Sequence, residues 1–198
     1  MEKCFAAAVS YLPEYAPFHE KTHRIQLALD SNHCNACGEL TNVNGMKRLN
    51  PEFVETVIEK VNKSPFYQLT AMQIQKLGWG ECRMHLPVLE KHHQPYGMAH
   101  GGILASLIDS AVYWAVFTQI NDGYKMISID LKLNYLAPAS EGDLRVVGKC
   151  IKAGKTLCMG EALITGQNEK LICHGTSTMM VLKNLEIKGE FELPAKFL

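Results

Sequence analysis

The chain's 198 residues suffice for one ordinary domain with an extension, and 47% hydrophobic with 20% charged residues is globular composition, not that of a disordered chain. Twenty basic against twenty acidic residues leave no net charge and a pI of about 7.1, and Lys47-Arg48 is the only adjacent basic pair. That balance excludes the electrostatic footprint of nucleic-acid binding and of an anionic membrane surface.

Residues 1–50 read as an N-terminal extension with its own small structure. Proline and tyrosine at Tyr11, Pro13, Tyr15 and Pro17 give way to a weakly periodic stretch at 19–29, where a helix is expected, then to loop signals at Asn42, Asn44 and Gly45. Within it His19-x3-His23 sets two imidazoles on one helix face, and Cys34-x2-Cys37 has the spacing of a zinc knuckle. The four could hold a structural zinc, with His33 as a substitute ligand; the alternative is a loop with unpaired thiols. Seven cysteines, an odd number mostly set singly in apolar runs, read as reduced thiols of a cytoplasmic protein. The apolar run from Cys4 to Val9 is too short for a signal peptide.

From Asn50 the patterns sharpen into a domain over 51–185, followed by a tail at 186–198. Asn50-Pro51 reads as an N-cap with proline in the first turn, and Phe53, Val54, Val57, Ile58 and Val61 recur at helical spacing. Alternation over 73–86, interrupted by Gly78 and Gly80, predicts one or two strands. His92 and His93 fall in a loop and are expected to be exposed. The stretch 103–117 is apolar almost all round, yet it is shorter than the roughly 20 residues of a membrane span. It is therefore expected as a buried helix that carries Asp109 into the interior, where an ionisable carboxylate is costly and so a functional candidate.

After Asn121-Asp-Gly123 the chain is all strand. Ile127, Ile129, Leu131, Leu133 and Tyr135 are expected on one face, with Ser128, Asp130, Lys132 and Asn134 on the other. Further strands are predicted at 143–153, 156–165 and 170–182, joined by hairpin-length turns. The arrangement that satisfies this order is an α+β one, an antiparallel sheet wrapped around one long central helix.

Gln94-Pro-Tyr-Gly-Met-Ala-His100-Gly-Gly-Ile-Leu-Ala-Ser-Leu-Ile-Asp109 carries the chemistry. Gly101 and Gly102 let other groups approach the backbone, and first-turn N–H groups lack intrahelical partners, so the helix start can hold an anion or a developing oxyanion. Asp109 follows two turns on. On spacing alone, the alternatives are that the glycines simply permit close helix–sheet packing and that Asp109 is a structural carboxylate.

This stretch resembles the phenylacetate-pathway (PaaI-type) acyl-CoA thioesterases of the hotdog superfamily, and the likeness runs over roughly 51–182. It is carried by His100-Gly-Gly with an acidic residue nine positions after the histidine, and by Gln94 six before it. Ile127-Ser-Ile-Asp-Leu-Lys-Leu-Asn-Tyr-Leu-Ala-Pro138, Gly154-Lys-Thr156 and Gly175 agree with it. The resemblance implies a hotdog fold and hydrolysis of an acyl-CoA to free acid and CoA without a catalytic cofactor or metal. It implies that the Gly101 N–H polarises the thioester carbonyl, that Asp109 is general base or nucleophile, and that Gln94 binds the carbonyl or holds the water. Ser128 would orient water or carboxylate, although an ordinary polar strand residue reads equally well there. His100 would orient the turn, and with Gly102 and Tyr113 would contact substrate; Tyr96, Met98 and Trp114 are near enough in sequence to shape a modest acyl pocket. Lys155 reads as a solvated hairpin lysine, with contact to CoA phosphates as the alternative. Members build the site between subunits, so a homodimer or homotetramer is implied. The competing functions are another hotdog reaction, acyl-thioester hydration or dehydration, and a non-catalytic acyl-CoA sensor.

Overall fold

Asn50 starts the domain as its sequence predicts: its side-chain oxygen accepts a hydrogen bond from the Glu52 N–H at 3.0 Å, with Pro51 in the first turn. The computed structural model describes residues 47–183 and 192–198. Helix α1, Pro51–Asn62, buries Phe53, Val57 and Val61. Pro65 does not merely end it. It opens a second, short helix, α2 (Pro65–Thr70), which stops where Ala71 takes a left-handed conformation at φ 57°.

The 73–86 stretch is two strands, β1 (Gln73–Gly78) and β2 (Glu81–Pro87), paired around Trp79-Gly80 with Gly80 at φ 70°. A single 3₁₀ turn, Glu90–His92, leads to the long helix α3, Gly101–Phe117. Four strands follow: β3 (Lys125–Tyr135), β4 (Asp143–Ala153), β5 (Leu157–Thr165) and β6 (Leu171–Leu182). All pairings are antiparallel, in the order β1-β2-β4-β5-β6-β3, so the strand that follows α3 in sequence closes one edge of the sheet. This is the hotdog fold, α3 being the filling.

Small residues make the trough in which α3 lies. Gly148 on β4 pairs with Ala162 on β5, which pairs with Gly175 on β6. A Cβ on Gly148 would lie 2.3 Å from the Ala111 carbonyl oxygen, and one on Gly175 would lie 2.8 Å from Ile108. The helix therefore sits closer to the sheet than any larger side chain allows. Leu104, Leu107, Ile108, Ala111, Val112, Ala115 and Val116 are buried against it.

Two expectations need correction. First, α3 is buried on most sides as expected, but it does not carry Asp109 into the interior. Gly102, Ala105, Ser106, Asp109, Ser110, Tyr113 and Trp114, recurring at three- and four-residue intervals, form a stripe that the chain covers only in part: Gly102 is exposed and the other six, Asp109 among them, are half-buried. Second, β3 does not alternate strictly. Its register with β6 shifts between Ser128 and Asp130, a bulge that leaves Ile129 over. Ser128 pairs with Met179, Leu131 with Ser177 and Tyr135 with Cys173, all inward positions of β6. Ser128 thus shares the inner face with Leu131, Leu133 and Tyr135 and does not oppose them.

At the other end of the domain, Leu49 and Phe197 form a bridge, and Asn50 N–H donates to the Lys196 carbonyl at 2.9 Å. Among the described residues no helix is long and apolar enough to cross a membrane. His19, His23, His33, Cys34 and Cys37, and the helix expected at 19–29, lie outside the described residues.

Candidate active site

The approach to α3 is a tightly bonded loop. Gln94 N–H donates to the Met98 carbonyl, Gly97 N–H to the Gln94 carbonyl, and His100 N–H to the His92 carbonyl, at 2.8 to 2.9 Å. His100 then caps the helix: its Nδ1 accepts from the Gly102 N–H at 2.9 Å, and its carbonyl accepts from the Ile103 N–H at 3.0 Å. Two of the first-turn donors are spent. The Gly101 N–H has no hydrogen-bond partner among the described residues, so the two glycines have different standing. On the other side of Gly101, the Tyr135 hydroxyl donates to its carbonyl at 3.2 Å.

Asp109 meets β3 at Ser128, whose hydroxyl donates to Asp109 Oδ1 at 2.7 Å. A hydroxyl held on one carboxylate oxygen fixes the rotamer of the group. The second oxygen carries no hydrogen bond among the described residues. The β3 bulge produces this contact, because it turns Ser128 inward.

An aromatic group continues the stripe beyond Asp109. The ring of Tyr113 stacks on Phe117 at 5.9 Å between centroids and meets Trp114 edge-on at 5.2 Å. Burial pushes the Tyr113 phenol up, with the nearby Asp109 charge adding to it. Tyr67 of α2, which the sequence reading missed, accepts a hydrogen bond from Trp114 Nε1 at 2.9 Å. Its phenol is pushed up to about 12, first by burial; hydrogen bonds from Ser110 and Trp114 oppose that, and the charge of Asp109 assists it. Tyr67 therefore stays a neutral phenol beside the carboxylate. Nothing in a stretch reading Ser64-Pro-Phe-Tyr-Gln announces this, since α2 itself is not visible in the periodicity.

Gln94 is half-buried, and its Oε1 accepts from the Tyr96 N–H at 2.9 Å, so within one chain it serves its own loop and makes no bond with Asp109. His92 and His93 are not the exposed loop residues expected. The 3₁₀ turn folds His92 inward to 5% exposure, its Nδ1 accepts from the Leu89 N–H at 3.0 Å, and burial holds its pKa below the ordinary value. His93 Nε2 lies 2.9 Å from the Ser140 carbonyl oxygen. These histidines join His100, Gly102, Ile103, Ser106, Lys91 and the α2 residues Leu69 and Thr70 around an open groove of about 470 Å³ at the start of α3. Lys155 is exposed and lines a separate cavity of about 450 Å³ with Tyr124 and Lys183, beyond the far end of the helix.

Residues 96–173 match the family model described as the thioesterase superfamily. The 1,4-dihydroxy-2-naphthoyl-CoA hydrolase of Listeria monocytogenes is 30% identical over 112 residues, which cover 57% of this chain and 91% of that protein. Human acyl-coenzyme A thioesterase 13 is 31% identical over 101 residues, or 50% of this chain and 71% of that one. Among solved structures, a thioesterase of Haemophilus influenzae superposes with a TM-score of 0.62 over 68% of this chain and 94% of its own; at 21% identity it speaks for the fold alone. With fold and sequence in agreement, the chain belongs to the thioesterase superfamily, as a hotdog thioester hydrolase of the kind its resemblance to the PaaI-type enzymes implies.

Proposed function

We propose that this protein hydrolyses acyl-CoA thioesters to a free acid and CoA, with Asp109 as the reactive carboxylate. The observation that carries the reading is the Ser128–Asp109 hydrogen bond on the open stripe of a helix whose first turn keeps the Gly101 N–H unpaired. In the proposed step, Asp109 takes a proton from water while the water oxygen bonds to the thioester carbon. The carbonyl oxygen, gaining charge, is held by the Gly101 N–H and the positive end of the helix dipole. The intermediate then collapses, the carbon–sulfur bond breaks, and the CoA thiolate takes the proton that Asp109 holds. Direct attack by the carboxylate is the alternative route to the same products. All the groups invoked belong to the chain, with no metal or cofactor among them.

The site is proposed to need two copies of the chain. Eight residues separate Gly101 from Asp109, about 12 Å along one helix at 1.5 Å per residue. A donor and a nucleophile serving one carbonyl stand closer than that. The half-buried α3 stripe lies beside edge strand β3, where Ile127, Ile129 and Leu131 are 42%, 52% and 37% exposed. A long apolar edge calls for a partner strand. A second copy laid antiparallel would bring its Gly101 and Gln94 to this Asp109, with Tyr113 and the groove at His100 and Gly102 facing the acyl group.

The test is a thiol-release assay with acetyl-, hexanoyl-, palmitoyl-, benzoyl- and phenylacetyl-CoA, run on the wild type, Asp109→Asn and Asp109→Ala. Turnover of at least one substrate is expected, falling by about 10³-fold in both variants. Undiminished turnover in the variants defeats the mechanism, and tight acyl-CoA binding without thiol release would make the protein a sensor.

A further inference from the structure

The geometry points to Tyr135 as a positioning residue of the site, a clamp that holds the first turn of α3 so that the Gly101 N–H keeps its direction. This inference rests on the proposed hydrolytic reading for its kinetic consequence, and on geometry alone for the clamp itself. Three observations carry it. The Tyr135 hydroxyl donates to the Gly101 carbonyl at 3.2 Å. The phenol packs closely on Gly101: an added Cβ would lie 3.1 Å from both its oxygen and its ring carbon, so a side chain there would push the ring back by a few tenths of an ångström. Finally, the hydroxyl engages the helix from outside, whereas His100 caps it from within through Gly102.

The β3 bulge makes the arrangement possible. Seven residues separate Ser128 from Tyr135, an odd spacing that puts the two on opposite faces of a regular strand. The register shift between Ser128 and Asp130 reverses that parity, and both residues then pair with inward positions of β6. One strand thereby fixes the carboxylate through Ser128 and the helix start through Tyr135. A donor's contribution depends on its direction towards the developing oxyanion, so a loosened first turn weakens turnover more than substrate binding.

The test compares Tyr135→Phe, which deletes only the hydroxyl, with Tyr135→Leu, which deletes the ring, in the full chain. With the acyl-CoA that wild type hydrolyses fastest, Tyr135→Phe is expected to lower kcat about 10-fold with KM within about twofold and an unchanged melting midpoint, and Tyr135→Leu to lower kcat further. In parallel, amide hydrogen exchange needs no substrate: the Gly102 and Ile103 amides are expected to exchange about 10-fold faster in Tyr135→Phe, while those of Ala111 and Val112 keep their rates. Unchanged first-turn exchange in Tyr135→Phe overturns the clamp, as does a loss confined to KM or to the melting midpoint. Turnover that survives Asp109→Asn counts against the hydrolytic reading instead, and the exchange rates still decide the clamp.

Discussion

The two ends of α3 are treated in opposite ways. At its start, the Gly101 N–H is unpaired among the described residues, and the groove beside it is open. At its finish, Lys196 from the C-terminal segment is fully buried and donates from Nζ to the carbonyls of Phe117 and Ile120, at 3.0 and 3.3 Å. The same ammonium lies 3.9 Å from the centroid of the Phe117 ring, and the Lys196 N–H donates to Asp122 Oδ2. The buried Thr118 hydroxyl accepts from the Gly80 N–H at 2.8 Å and donates to the Ala115 carbonyl at 2.7 Å. A helix leaves orphan donors at one end and orphan acceptors at the other. Here Lys196 satisfies acceptors at the cost of burying a cation, and a donor at the start is left unpaired among the described residues.

That cost gives the largest effect by which the comparison can be broken. Burial, with Lys47 and Lys125 adding and Asp122 opposing, lowers the Lys196 ammonium from 10.5 to about 8. For a base whose folded pKa is depressed, the unfolded chain holds the extra proton between those two values, so stability rises with pH across the window from about 8 to 10.5. A displacement of that size is worth about 3 kcal/mol over the whole window. Tyr67 and Cys82, both pushed up by burial, work in the other direction at high pH, but they are common to wild type and variant. The prediction is therefore a difference. Urea unfolding of wild type against Lys196→Ala should show the gap widening by about 3 kcal/mol from pH 7 to pH 10.5, and a gap independent of pH would remove Lys196 as the titrating group.

The size of that gap at pH 7 is the next effect. Lys196→Ala leaves the Phe117 and Ile120 carbonyls without their donor and opens a cavity beside Phe53 and Phe117, while relieving the buried charge. Orphaned acceptors and the cavity outweigh the relief, and a loss of about 2 kcal/mol is expected. Thiol release per folded molecule should be unchanged, because the start of the helix, where the active site is proposed, is far from the substitution. A fall in kcat without a fall in stability would mean that the two ends are coupled.

How much of this was legible depends on whether the cause is local. The cap at Asn50, the central helix and the order of strands along the chain follow from short-range pattern, and all stand in the structure. The Gln94-to-Asp109 stretch could be singled out because glycines before an apolar helix and a carboxylate within it are local oddities. The reading failed where one residue or one tertiary contact decides. A single extra residue at Ile129 moved Ser128 to the inner face, so the residue was found for a reason that the structure reverses. His92 looks like a loop histidine until a 3₁₀ turn tucks it in. Lys196 and Tyr67 belong to segments without periodicity, and only the packed chain brings them to α3.

The smallest effect sharpens the comparison at the open end. His100 Nδ1 caps Gly102, and losing a side-chain N-cap costs about 1 kcal/mol. His100→Ala should therefore lower stability by about that much, while His100→Asn, which can offer an oxygen to the same N–H, should restore most of it. Activity is the more telling readout. If His100 only shapes the turn, Asn should recover kcat along with stability, and the pH–rate profile should keep its form in both variants. A pH–rate profile that loses one limb in both would make the imidazole a proton carrier. The open end would then hold a proton carrier beside the donor proposed at Gly101.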